Sequence, residues 1–201
     1  MTATAALPLD AIDRALAVDG KIEAAWRWAT KPIDEAQELA TELAGLAVRR
    51  DLPYGGLRAL TQVALGVTER PSVVDRWLEN DPEVTCVLDR VRKVSAQLEG
   101  LPSRARIAVR EAMALALEAP TFARAAIVEL WRRGPSPERD PMMRTLERLP
   151  HMAKARAQRI REEASIATAL AERARETILA SVRPRGRMTR ETTLRLEVVP
   201  R

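Results

Sequence analysis

Apolar residues recur along most of this chain at steps of three and four, the spacing that collects side chains on one face of an α-helix. The pattern predicts a first helix over residues 8–18, with Asp10 near its start and Asp19-Gly20 as its break. A second runs from Lys21 to Ala29, carrying Ile22, Ala25, Trp26 and Ala29 on one side. Trp26 and Trp28 cannot both point inward from that helix. Pro32 then fits a first helical position, followed by a stripe of Ile33, Ala36, Leu39, Ala40, Leu43, Leu46 and Ala47 that Asp51-Leu52-Pro53 closes. Acidic Asp34 and Glu35 in the first turn, with Arg49 and Arg50 in the last, suit the helix dipole.

A short helix follows to about Leu65, with Leu57, Leu60, Ala64 and Leu65 inward and Gly66 as its stop. Another covers residues 71–79. The clearest boundaries come next: Asp81 as N-cap, Pro82 and Glu83 in the first turn, a stripe of Val84, Val87, Leu88, Val91, Val94 and Leu98, and Gly100 as terminator. Ser103 is expected to cap a helix whose second half, AMALALEA, is apolar nearly all round and is therefore expected at the centre of the core. Thr121 caps one more, through Phe122, Ala125, Ala126, Ile127, Leu130 and Trp131, ending at Gly134.

Residues 134–141, GPSPERDP, hold three prolines and a glycine and mark the best candidate linker. A short amphipathic segment with Met142, Met143, Leu146 and Leu149 leads into a long helix expected over residues 150–182. Its seam is Ala153, Ala157, Ile160, Ala164, Ala167, Ala171, Ala174 and Ile178. At ~1.5 Å per residue it would run roughly 45–50 Å, and its small apolar residues need a covering surface. Beyond RPRGRMTR the period changes to two, with Leu194, Leu196 and Val198 alternating against Thr193, Arg195 and Glu197. That is a strand signal, and a lone strand must pair with something. The chain therefore reads as an all-α bundle of about eight to ten helices. A core (1–133), a linker (134–141), a helical extension (142–182) and a basic, strand-forming tail (183–201) are its expected divisions.

Composition narrows this picture. In 201 residues, 46% are hydrophobic and only 3% aromatic, so the core must be built from aliphatic residues and alanine. A single cysteine, Cys86, excludes an internal disulfide. The start MTATAALPLD lacks a secretory pattern, the longest strictly apolar run is Ala112 to Leu117, and the expected residence is cytoplasmic, with no membrane span. Net charge is +5, but it is unevenly placed: residues 1–131 carry −3 and residues 132–201 carry +8. The basic final third could meet nucleic acid, an anionic membrane or an acidic protein face. Of 33 basic residues only four are lysine, a bias that GC-rich coding alone can produce.

Candidate chemistry is sparse. One histidine, His151, and one cysteine lie without ligand neighbours at helical spacing, so neither a metal site nor a nucleophilic triad is expected. Cys86 is read as a small core or flank residue and His151 as a surface residue. Gly55-Gly56 lacks the lysine and hydroxyl of a phosphate loop. No cofactor is expected.

One local motif stands out. From Gly56 to Asn80 the chain has Leu60-Thr61-Gln62, then Leu65-Gly66-Val67-Thr68, then Ser72-Val73-Val74-Asp75-Arg76-Trp77-Leu78. This order resembles the helix-turn-helix of repressor-like domains. The resemblance implies DNA reading by the second helix through Arg70, Ser72, Asp75 and Arg76. It covers about one eighth of the chain and departs at Gln62, where a small residue is usual, in a turn about two residues long in excess, and in the negative charge of its surroundings.

The expectation that follows is a non-enzymatic interaction protein, an adaptor or assembly subunit. It would engage a protein partner, or a second copy, through the long C-terminal helix and the tail, by way of Arg183, Arg185, Arg187, Arg190, Leu194, Leu196 and Val198. The alternative is nucleic-acid binding through the motif at 56–80 or the basic final third.

Overall fold

The computed structural model describes residues 10–68 and 76–182, and among them there are seven α-helices and no strand. They are α1 (Ala11–Arg49), α2 (Tyr54–Ala64), α3 (Arg76–Asn80), α4 (Pro82–Glu99), α5 (Leu101–Arg132), α6 (Arg139–Ser165) and α7 (Ala167–Ser181). The all-helical reading holds. The count of eight to ten does not, and the strand expected over 192–199 lies outside the described residues.

The count falls because residues read as helix breakers lie inside helices. Gly20 and Pro32 sit within α1, which runs unbroken through three expected helices. Pro120 sits within α5, where Thr121 was expected to start a new helix. Pro150 sits within α6, which begins at Arg139. An interior proline loses one backbone hydrogen bond and crowds the carbonyl four residues back, at a cost of about 3 kcal/mol. It also disfavours helical geometry in the residue before it. At two of the three sites that preceding residue, Ala119 or Leu149, is buried in the core, and Pro32 is itself buried. Packing on both sides of the proline outweighs the local cost.

The long helix expected over 150–182 is corrected in the opposite sense. It breaks at Ser165-Ile166, where Ile166 leaves helical geometry at φ −105° and ψ 14° and Ser165 Oγ donates to the Glu162 carbonyl at 2.6 Å. A serine hydroxyl that takes a carbonyl of its own turn competes with the helix ladder. The seam passes through the break unaltered, because Ala167, Ala171, Ala174 and Ile178 remain buried on α7.

The chain forms two compact units. The first joins the stretch up to Glu35 with Ala96–Arg173, and the second joins Ala36–Ser95 with the stretch from Ala174. In the first, Ile12, Ala15, Val18 and Ile22 of α1 close over α5 and α6. Ala112, Ala119, Ala123 and Ala126 of α5 face Leu146, Leu149, Ala153, Ala157 and Ile160 of α6. Alanine on both sides lets two helix backbones approach closely, with larger Met142, Met143, Phe122 and Trp26 filling the edges. Trp26 packs on this core while Trp28 is exposed, the division the helical spacing required.

In the second unit the buried residues include Leu39, Leu43 and Leu46 of α1, Leu57 and Leu60 of α2, Leu78 of α3 and Val84, Val87, Leu88, Val91 and Val94 of the α4 stripe. Ile178 and Val182 are buried there as well. Asp81 caps α4 as read from the sequence: its Oδ1 accepts the N–H groups of Glu83 at 2.9 Å and Val84 at 3.3 Å. Arg50 at the end of α1 reaches Asp81 at 2.7 Å and Glu83 at 3.3 Å, fixing α1 to the start of α4.

Two helix ends show how the chain reverses. α1 closes with Leu52 N–H donating to the Ala47 carbonyl at 3.0 Å while Asp51 takes φ +48°. α2 closes alike, with Val67 N–H on the Gln62 carbonyl at 2.9 Å and Gly66 at φ +70°. Both are the left-handed helix stop that glycine adopts freely and aspartate adopts under strain.

Candidate partner-binding surface

The sequence nominated two sets of residues. Arg183, Arg185, Arg187, Arg190, Leu194, Leu196 and Val198 lie outside the described residues, as do Arg70, Ser72 and Asp75. Arg76 opens α3, but its side chain is likewise outside them. Within the described part of the helix-turn-helix stretch, α2 and its Gly66 stop are formed, and Gln62 is half-buried.

The C-terminal seam has a plain destination. Ala153, Ala157 and Ile160 belong to the core of the first unit, so the face expected to await a partner is covered within the chain. Cys86 is exposed, which makes it a flank residue, and His151 is exposed inside α6. Among the described residues no three His, Cys, Asp or Glu side chains are grouped to hold a metal ion. No described helix is long and apolar enough to cross a membrane.

A groove of about 540 Å³ runs between α1 and α6 in the first unit. Its walls include Asp19, Glu23 and Arg27 of α1 and Arg156, Arg159 and Glu163 of α6. These charges hold one another. Arg156 Nε lies 2.9 Å from Asp19 Oδ1, and its Nη1 contacts Glu23. Arg27 reaches the other oxygen of Glu23 at 2.9 Å, and Arg159 reaches Glu163 at 2.8 Å. The hydrogen bond from Arg27, followed by the charge of Arg156, lowers the Glu23 pKa below its ordinary value. The Glu163 partner raises the Arg159 pKa. A ligand for these groups would have to displace ion pairs already made, so the groove acts as a clasp between α1 and α6.

Among the described residues, the outer side of α5 carries four exposed large apolar side chains, Ile107, Leu117, Val128 and Trp131. The AMALALEA segment was expected at the centre of the core, and that expectation is corrected in part. Ala112 and Ala119 are buried, but Leu117 is 78% exposed, and Ala114, Ala125 and Trp131 are exposed too. Starting at Ile107 and stepping alternately by three and four, the chain gives Arg110, Ala114 and Leu117, then Thr121, Arg124, Val128 and Trp131. Every one of these positions is exposed. The spacing is that of a coiled-coil seam, and the row extends about 36 Å.

Beside Trp131 the guanidinium of Arg139 stacks 3.7 Å from the ring centroid, holding the ring at the seam's end. Five of the eight positions are apolar, and Arg110, Thr121 and Arg124 interrupt them. The signal was present in the sequence. A helix apolar nearly all round has a second face as well as a first, and counting the three–four steps from Ile107 finds it.

No family model matches the chain, and no match appears among curated proteins or solved structures.

Proposed function

We propose that the chain is a non-enzymatic helical interaction protein, an adaptor or assembly subunit, whose main docking surface is the outer seam of α5. One observation carries this reading: eight successive seam positions, among them Ile107, Leu117, Val128 and Trp131, are exposed on a single helix. Full burial of such side chains from water is worth about 1.5–3 kcal/mol each, and these four are 50–78% exposed, so a partner covering the row gains between about half and three-quarters of that at each. The basic tail 183–201 is the second expected contact.

The test is site-specific photocrosslinking in the native cell, with a benzophenone amino acid at position 117 and, as control, at exposed Thr41. A discrete adduct at 117 absent at 41 is expected. No adduct at 117, or the same adducts at both positions, overturns the reading.

A second reading, nucleic-acid binding, rests on the +8 charge of residues 132–201. Phosphate binding weakens steeply as salt rises. Fluorescence anisotropy with a labelled 30-base-pair duplex across a salt series checks it, and absence of binding at low salt removes it.

A further inference from the structure

We infer that the α5 seam receives an amphipathic helix of another protein, one carrying carboxylates on its own apolar seam two heptads apart. The inference rests on the reading of α5 as the docking surface and goes on to the chemistry of the partner. Arg110 and Arg124 interrupt the apolar row and stand fourteen residues apart, which is four helical turns and about 21 Å. Among the described residues neither has a carboxylate partner, in contrast to Arg27, Arg50, Arg156 and Arg159. A guanidinium covered by an apolar face loses hydration and must be repaid by a paired anion. The complementary occupant therefore places a carboxylate at each arginine and apolar residues against Ile107, Leu117 and Val128.

The same two arginines argue against the other occupants. A second copy in parallel register sets each arginine against its own counterpart. In the antiparallel register that overlaps the whole seam, Arg110 meets Val128 and Arg124 meets Ala114, so both cations are covered without a partner. The chain's own tail, residues 183–201, holds six arginines and two glutamates and repels them. Glu111 and Glu118 lie at one edge of the seam, so the partner's acidic groups belong on its seam and not along that edge.

The test uses the full chain and two synthetic helical peptides of 28 residues. Both have Ile and Leu on the seam and Gln elsewhere. One carries Glu at two seam positions fourteen residues apart, and its twin carries Lys there. By fluorescence anisotropy the Glu peptide is expected to bind at least tenfold more tightly than the Lys twin. The double variant Arg110→Glu/Arg124→Glu is expected to reverse that order, and Leu117→Glu to weaken both peptides, with helix content by circular dichroism unchanged in each variant. Equal binding of the two peptides, or a preference that survives the double variant, overturns the inference while leaving α5 as the docking surface. Failure of both peptides together with loss of the position-117 adduct overturns the docking surface itself. A chain that sediments as a dimer and is split to monomers by Leu117→Glu assigns the seam to a second copy and also overturns the inference.

Discussion

Gly20 decides whether α1 is one helix or two. In the sequence, Asp19-Gly20 reads as a helix stop; in the structure it lies ten residues into a helix of 39. The two geometries give opposite signs for Gly20→Ala. At a left-handed stop the added Cβ costs about 1–2 kcal/mol. Inside a helix it gains about 0.8–1.0 kcal/mol, because alanine has fewer unfolded conformations to lose. Sterics do not intervene, since a Cβ at Gly20 meets no atom within 4 Å and the position is exposed. The expected result is stabilisation by about 0.8 kcal/mol, a rise in Tm of about 2–4 °C for a chain of this size. Urea denaturation followed by far-ultraviolet circular dichroism reads it as a higher midpoint at unchanged slope. Gly45→Ala, with equal free space in the second unit, is expected to match it. Gly134→Ala, at φ +85°, is expected to lose about 1–2 kcal/mol and calibrates the opposite sign. A destabilised Gly20→Ala with an unchanged slope would refute the continuous helix.

Asp51→Gly relieves the left-handed strain at the end of α1 and removes a carboxylate from the negative end of the helix dipole; a gain of about 0.5–1 kcal/mol is expected in the same denaturation assay. Glu23 has a lowered pKa when folded, so its contribution is present above its unfolded value, near 4.5, and is lost as pH falls through the folded value. Glu23→Gln is therefore expected to be less stable than the parent at pH 7, with the difference shrinking on acidification below about pH 4; a difference that persists undiminished at low pH counts against the clasp. Removing residues 183–201 is expected to leave a chain with full helix content and a cooperative melt but weakened partner capture, and global unfolding of the truncation would assign the tail a structural role.

How much of this was legible depended on which scale decided each feature. Where a local signal and burial agree, the sequence was sufficient. Asp81 caps α4, and all six residues of the stripe behind it are buried. Gly66 stops α2 at a positive φ, the conformation its lack of a side chain permits. Where the two conflict, burial prevailed. Gly20, Pro32, Pro120 and Pro150 are local breakers, yet each is flanked by residues locked into a core. Summing propensities along the chain cannot weigh a cost of about 3 kcal/mol against packing that only the tertiary structure reveals. The break at Ser165-Ile166 had no such signal, since the heptad count runs straight across it. The C-terminal seam was legible as an apolar helix face, but what covers it was not. Small residues on the C-terminal seam suggested an open face, but close approach of α5 and α6 is what they serve.

That close approach also explains why the open face falls on α5. The inward side of this helix is almost entirely alanine, at 105, 108, 112, 119, 123 and 126. A larger residue at 112, 119, 123 or 126 would force α5 away from α6, and overpacking of that kind costs about 1–3 kcal/mol. While Met113, Leu115, Phe122 and Ile127 pack along the edges of the core, Ile107, Leu117, Val128 and Trp131 lie on the side away from these alanines. Folding of the first unit does not require those outer residues, because the α1–α5–α6 core is closed without them. Polar residues at the same four positions would hold the helix equally well and leave it better hydrated. The outer row is thus free of the demands of the core, which is the condition the proposed docking surface of α5 requires.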